Sequence, residues 1–453
     1  MKIAAFIVTL LACCLMFFVK REWKAALLVM GAMTLTAVNI PGIPLHSANY
    51  LLPVAFFLSE WRDWPRHFRA LLHVRGLAGM LLLVSISALI AALTSPYLAP
   101  REILQAEVLF KYFAIAYAFW AVKDERSLKP VLLMSFVCLL VLTGFGVLNY
   151  LTKSADFVNA LTEGRAGLGY KDIDMGSIYT ESDRFRVQSM FVSPFDYGFI
   201  CVVMLLLHWY GWLRGMENKI IFALATICCL FGVITCECRI VWVCCILSVS
   251  CFYMWCYPFR KAALAAILVI TAFIVSYSTV KFVEERVDKM TDVFKENSKT
   301  EGSSIDMRMA QMATTWYQLE GHELFGRGQG FWAYNHKNDS GRRLDNLEGM
   351  ESAVFQLLLE RGIFGLVVWI VFYTWLFSVF LRDRHLQPKV AGLAASVWTA
   401  YVLFAIGTGE LGTGYPTLLL LGMSLKVLEE KKRRRKLLSL LLSLIKSKKQ
   451  DAQ

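Results

Sequence analysis

The 453-residue chain is 57% hydrophobic and 13% aromatic, with a mean hydropathy of +0.52. A soluble domain rarely exceeds half apolar residues, so the composition excludes a soluble enzyme and places the chain in a membrane. The net charge of +12 does not imply a nucleic-acid partner, because the cations are spread over short loops between apolar runs.

Apolar runs of near-spanning length fall at 3–19, 25–40, 47–60, 76–93, 103–122, 130–151, 190–213, 220–237, 240–257, 262–280, 353–381, 390–408 and 413–428. A helix needs about 20 predominantly apolar residues to cross the hydrocarbon core, and the first three runs are short of that. The pattern predicts an all-α polytopic membrane bundle of about 12–13 transmembrane helices with one large extracytoplasmic loop. One bundle domain, 1–428, is followed by a basic tail, 429–453.

The cations alternate from loop to loop. Lys20, Arg21 and Lys24, then Arg62, Arg66 and Arg69, Lys123, Arg126 and Lys129, Arg214 and Lys219, Arg260 and Lys261, and Arg382, Arg384 and Lys389 occupy every second connection. The short loops near Pro41, Ser95, Cys236 and Thr413 carry only Arg101 and Arg239. By the positive-inside rule the basic loops are cytoplasmic, and the long segments 152–188 and 281–352 lie outside. The first run follows a single Lys2 and lacks a small-residue cleavage site, so it reads as retained. Ten of the twelve cysteines sit well inside apolar runs, Cys236 and Cys238 flank Glu237 at a helix end, and none lies in the two long loops. That usage predicts no disulfide framework, and no zinc-ligand spacing or cofactor motif is visible.

The first long loop, 152–188, has no helical periodicity and is expected to be irregular. The second starts with Val283, Val287, Met290 and Phe294 at helical spacing, breaks over Asn297–Ser304, and resumes as a second helix, 306–318. The sequence HELFGRGQGFW then brings Gly326, Gly328 and Gly330, a polar stretch at 333–350 follows, and a helix re-enters the bilayer. The tail, KKRRRK followed by a leucine-rich stretch too short to span, predicts an interfacial helix on anionic lipid; a disordered basic tail is the alternative. Glu107 and Lys111 are four apart in the fifth run and can pair on one face. An ionisable residue at membrane depth points either to that pairing or to a substrate contact. His322 and His336 read as turn residues, and Trp316, Trp332 and Tyr334 as loop packing or sugar-stacking groups.

An arginine on a helix (Arg308), three alternating glycines, and a helix carrying Gln356, Glu360 and Gly362 follow in that order over about 55 residues. This order resembles the large extracytoplasmic loop of the O-antigen polymerase and O-antigen ligase superfamily. The resemblance covers about 180–381. Arg186 stands before Ser193-Pro194-Phe195 and Gly198, where the superfamily has an arginine and an Asn-Pro-Asn-like turn; here both Asn residues are lost. Arg239 follows TCEC, where relatives often carry Ser-Arg. Glu351-Ser352 stands where ligases commonly have His-Asn.

The resemblance implies a membrane glycosyltransferase without cofactor or metal. It would act at the outer face of a bacterial inner membrane on undecaprenyl-diphosphate-linked glycan donor and acceptor, alongside the bilayer and other polysaccharide-assembly proteins. Arg186, Arg308 and Glu351 would be catalytic, and Arg239, Gly326, Gly328 and Gly330 substrate-binding. Guanidinium groups suit a diphosphate leaving group, since they stay charged and grip phosphate bidentately. A carboxylate at 351 can take the proton of the attacking sugar hydroxyl. The bland readings are an arginine anchored at headgroups and a Glu351 that favours a helix N-terminus. Glu351 in place of His favours a polymerase of surface polysaccharide. The alternatives are an O-antigen ligase or protein oligosaccharyltransferase and, in a different class, a lipid-linked oligosaccharide transporter. Charges gathered at one face rather than at the midplane speak against the transporter.

Overall fold

A computed structural model describes residues 2–34, 51–74, 76–154, 180–181, 184–258, 305–332, 352–409 and 412–451, with Tyr334 and scattered residues between 260 and 281. The expected helix at 281–297 and the polar stretch 335–350 lie outside these residues, and the run 262–280 is described only in part.

The described elements are helical but for one short hairpin, β1 (Thr180–Glu181) with β2 (Arg184–Phe185). In chain order the helices are α1 (Lys2–Phe18), α2 (Arg21–Thr34), α3 (Leu51–Ser59), α4 (Trp64–His73), α5 (Leu77–Thr94), α6 (Pro100–Ile103), a π-helical stretch (Leu104–Tyr112) leading into α7 (Ala114–Ala121), α8 (Leu128–Thr152), α9 (Pro194–Leu213), α10 (Lys219–Thr235), α11 (Arg239–Cys256), α12 (Ile305–Leu319), α13 (Ala353–Asp383), α14 (Pro388–Thr408) and α15 (Gly414–Asp451). Six of them, α5, α8 (with the preceding turn), α9, α11, α13 and α14, are long and apolar enough to cross a membrane. This is a multi-pass membrane bundle. The expected fifth run is broken into α6, the π-helical stretch and α7; the expected runs 25–40 and 47–60 extend from α2 and α3 into residues outside those described. The fifth run predicts helix but not where it breaks, because apolar residues are needed inside a bundle as much as against lipid.

α9 and α14 form the centre. In α9 every residue from Tyr197 to His208 is buried, as expected of a helix apolar all round. Phe199 meets Phe404 of α14 at 4.6 Å between ring centroids, and Tyr401 meets Tyr373 of α13 at 5.1 Å. The periphery exposes aliphatic side chains such as Leu82, Leu93, Leu151, Ile227 and Ile246, as suits helices facing acyl chains. The helix starts are capped in the ordinary way: Ser193 accepts from Phe195 N ahead of α9, Asn218 from Ile221 N, and Ser352 from Val354 N.

The basic connections meet at one end. Glu125 takes an ion pair from Arg214 and hydrogen bonds from Tyr210 Oη (2.9 Å) and Gln387 Nε2 (2.8 Å), while Lys389 Nζ donates to the Leu213 carbonyl (2.7 Å). Arg434 of α15 reaches Asp124 at the same end. α15 runs unbroken from its apolar first half through the basic run to Asp451, so the tail is helical. The less basic connections meet at the other end: Ser95 Oγ donates to the Gln329 carbonyl (2.6 Å) and Val187 N to the Thr235 carbonyl (3.1 Å). The alternation of charge in the sequence therefore sorts the loops onto two ends of one bundle.

Candidate active site

The site is built at the end away from the basic connections. The tight α10–α11 turn, Cys236–Cys238, is its floor, with Glu237 at φ +50°. The start of α9 lies against this turn: a Cβ on Gly198 would fall 2.5 Å from Cys236 Sγ and 2.9 Å from Val241 Cγ1, so only glycine permits the approach. Val187 bonds to the last residue of α10, which brings Arg186 beside the turn. Burial pushes the Cys238 thiol well above its usual range, as do Cys236 and Glu237, while the Arg186 charge acts in the opposite direction. Arg239 is the first residue of α11.

Arg308 comes in from α12. Its Nη2 donates to the Gly407 carbonyl at 2.7 Å, one residue before the last of α14. Gly407 in turn lies against Ile240, since a Cβ there would be 2.5 Å from Ile240 Cδ1. Three arginines predicted from sequence, Arg186, Arg239 and Arg308, are thus brought together around residues 236–240 and the end of α14. All three are half-buried and each makes polar contacts. Glu351 lies outside the described residues; the helix it precedes begins at Ala353 behind the Ser352 cap.

The glycine turn docks into a break in α13, which was expected to be continuous. Gly362 has φ +65° and ψ −167°, so the helix is interrupted there. The turn supplies the backbone partners that the break leaves open: Arg327 N donates to Leu359 O (2.8 Å), Gly328 N to Glu360 O (3.1 Å), Ile363 N to Glu323 O (2.8 Å) and Phe364 N to Leu324 O (3.1 Å). The approach is backbone on backbone. A Cβ on Gly326 would sit 2.5 Å from Arg361 N, and one on Gly362 2.5 Å from the Leu324 carbonyl. Gly326, Gly328 and Gly330 all have positive φ, and their conformations are the ones this docking requires. Phe331 and Leu359 are buried with Tyr97 and Trp332 at the joint, and Tyr334 packs on Tyr97 with ring centroids 5.1 Å apart. His322 is an exposed turn residue, as expected.

Under the joint lies a polar network that the sequence reading caught only in part. Lys111 Nζ and Glu107 Oε2 pair at 3.1 Å, and Arg361 Nη2 joins the same carboxylate oxygen at 2.8 Å. Arg361 Nε also donates to Gln329 Oε1 (2.9 Å), and Glu360 Oε1 accepts from Gly330 N (3.0 Å). Glu360 and Arg361 interrupt an apolar run of re-entrant helix, and that interruption was the available signal. Their partners lie far away in sequence and could not be read from spacing. α12 is tied to the same joint, because Arg327 Nε donates to the Gln318 carbonyl at 2.6 Å.

A multi-pass bundle with Arg186, Arg239 and Arg308 gathered at the end away from its basic connections has the chemistry to hold an anionic group there. Residues 198–370 match the family model described as O-antigen ligase. That match takes in α10, α11, α12, the glycine turn and the broken first part of α13, and it supports the O-antigen ligase and polymerase superfamily resemblance. No curated protein matches the chain. The chain is thus a multi-pass membrane protein that is similar, over residues 198–370, to the O-antigen ligase family.

Proposed function

We propose that this protein joins undecaprenyl-diphosphate-linked oligosaccharide repeat units into a surface polysaccharide (O-antigen, capsule or exopolysaccharide) at the outer face of a bacterial inner membrane. The observation that carries this reading is the gathering of Arg186, Arg239 and Arg308 around the α10–α11 turn, at the end of the bundle opposite the basic connections. The positive-inside rule assigns that end to the outside.

In this reading Arg186 and Arg308 hold the diphosphate of the donor, and Arg239 helps to seat the glycan beside the glycine turn (Gly326, Gly328, Gly330), which contributes shape because its N–H groups are taken up within the protein. A hydroxyl oxygen of the acceptor sugar attacks the anomeric carbon of the donor. The bond from that carbon to the diphosphate oxygen breaks, and undecaprenyl diphosphate leaves with the electron pair. The departing group is already a weak base, so charge stabilisation by guanidinium groups does more for it than protonation. The hydroxyl proton goes to Glu351, the general base of the reading.

A ligase that moves the finished glycan to another acceptor is the second reading, favoured by the description of the matching family model. The two separate in a strain lacking the gene, by gel analysis of surface polysaccharide. Loss of the long-chain ladder with single repeats still attached identifies the polymerase. Loss of all attached glycan with lipid-linked polymer accumulating identifies the ligase. An unchanged ladder overturns both.

A further inference from the structure

α12 has its polarity reversed. Its outward face carries Met309, Met312, Trp316 and Tyr317, of which Met309 and Tyr317 are more than 60% exposed. Its inward face carries Arg308, Gln311, Thr315 and Leu319, at spacings of three and four residues, with Gln311, Thr315 and Leu319 fully buried. A helix that only packed against the bundle would turn its apolar residues inward.

The inward polar groups are not all accounted for by the protein. Arg308 reaches Gly407 O, and Thr315 Oγ1 donates to the Gln311 carbonyl at 2.8 Å. Among the described residues the side-chain amide of Gln311 has no hydrogen-bond partner at either Oε1 or Nε2. Gln188, buried two residues after Arg186, likewise has no partner for its Nε2 among the described residues. Buried polar groups are nearly always paired, and an orphaned one calls for a reason. Each of these amides stands within one helical turn, or two residues, of an arginine of the candidate site.

We infer that Gln311 reads sugar hydroxyls of the lipid-linked glycan, with Gln188 as a second donor, so that substrate completes the hydrogen bonds these amides lack. The inference rests on the proposed function above and adds the residues that recognise the sugar next to the diphosphate. A primary amide offers a carbonyl acceptor and two N–H donors side by side, which matches neighbouring hydroxyls, each both donor and acceptor. A site built to pair with a substrate hydroxyl discriminates sharply against its absence, because its own polar groups are then left buried and unpaired. The outward apolar face of α12 suits a helix lying at acyl-chain depth while its inner face meets the sugar.

The test is steady-state transfer by the purified full-length protein on lipid-linked oligosaccharide, wild type against Gln311→Met, with thermal melting of both. Methionine keeps length and removes both polar ends. The expected result is a KM for the glycan raised about tenfold or more with no fall in melting temperature, since a buried amide without a partner stabilises nothing. A KM within twofold of wild type overturns the inference whatever the melting temperature. Should the Met variant not accumulate, Gln311→Glu decides on the same terms, because it keeps the acceptor and loses the N–H donors. A wild-type protein with no transfer activity would defeat the proposed function itself, whereas an active wild type with an unmoved variant defeats only this inference.

Discussion

Arg361 Nη2 lies 2.8 Å from Glu107 Oε2, with the arginine side chain 6% exposed and the glutamate 15%. One carboxylate on the π-helical stretch therefore balances two buried cations, Arg361 from the broken helix α13 and Lys111 from its own turn. This anchors the segment after α5 to the residue beside the break in α13, where the glycine turn docks. Removing one member of a buried pair costs about 3–5 kcal/mol, because the other charge stays buried alone.

The three groups are not equivalent, and the geometry ranks them. Glu107→Gln strands two cations and is expected to lower the melting temperature most. Arg361→Met leaves Glu107 with Lys111 but also strips Gln329 Oε1 of its donor, so it comes second. Lys111→Met leaves the Glu107–Arg361 pair intact and comes last. Thermal melting of the purified variants checks the order; Lys111→Met as damaging as Glu107→Gln would show that Arg361 contributes little.

Three glycines separate conformation from contact. Gly144 sits in α8 with open space around it, so Gly144→Ala is expected to be neutral or to stabilise by about 0.5–1 kcal/mol. Gly321 has φ +76° but open space, and Ala there costs only the left-handed penalty of about 1–2 kcal/mol. Gly326 has φ +74° and would also drive a Cβ to 2.5 Å from Arg361 N, so Gly326→Ala is expected to cost clearly more than Gly321→Ala in the same melting assay. Equal effects at 321 and 326 would mean that the turn does not depend on its seat in the break.

Glu351→Gln keeps size and hydrogen bonding but cannot take a proton. As general base Glu351 predicts a loss of about 10²- to 10⁴-fold in transfer rate. As a helix-start charge it predicts a stability loss of about 1 kcal/mol at most and near-normal turnover. A single turnover measurement on lipid-linked substrate distinguishes the two, and near-normal turnover moves the search for a base to Glu348, Asp345 or Glu237.

Much of this arrangement was legible in the sequence wherever one local rule decides it. The helix expected at 306–318 is α12 at Ile305–Leu319, and the one expected at 353–381 is α13 at Ala353–Asp383, because hydrophobic periodicity and capping residues act over a few positions. The Glu107–Lys111 pair follows from i, i+4 spacing in the same way. The break at Gly362 was not legible. Nothing in an apolar run announces that its carbonyls will be met by a glycine turn more than thirty residues earlier, although Glu360-Arg361-Gly362 interrupts the run. Arg361 escaped for the same reason, since its partner Glu107 comes from a distant segment. Gln311 escaped because an amide on a helix face reads as solvent-exposed until burial is known.

The central claim is that Arg308 acts as a guanidinium at the reacting diphosphate rather than as a surface anchor. Its most direct test is the rate of glycan transfer by purified Arg308→Lys on lipid-linked substrate, with melting temperatures matched and with Arg101→Lys as control, since Arg101 stands beside Glu102 in sequence and reads as a headgroup anchor. Lysine keeps the charge but loses the bidentate fork, and the account predicts a fall on the order of 10²-fold at Arg308 with little change at Arg101. Transfer by Arg308→Lys at the wild-type rate would contradict it.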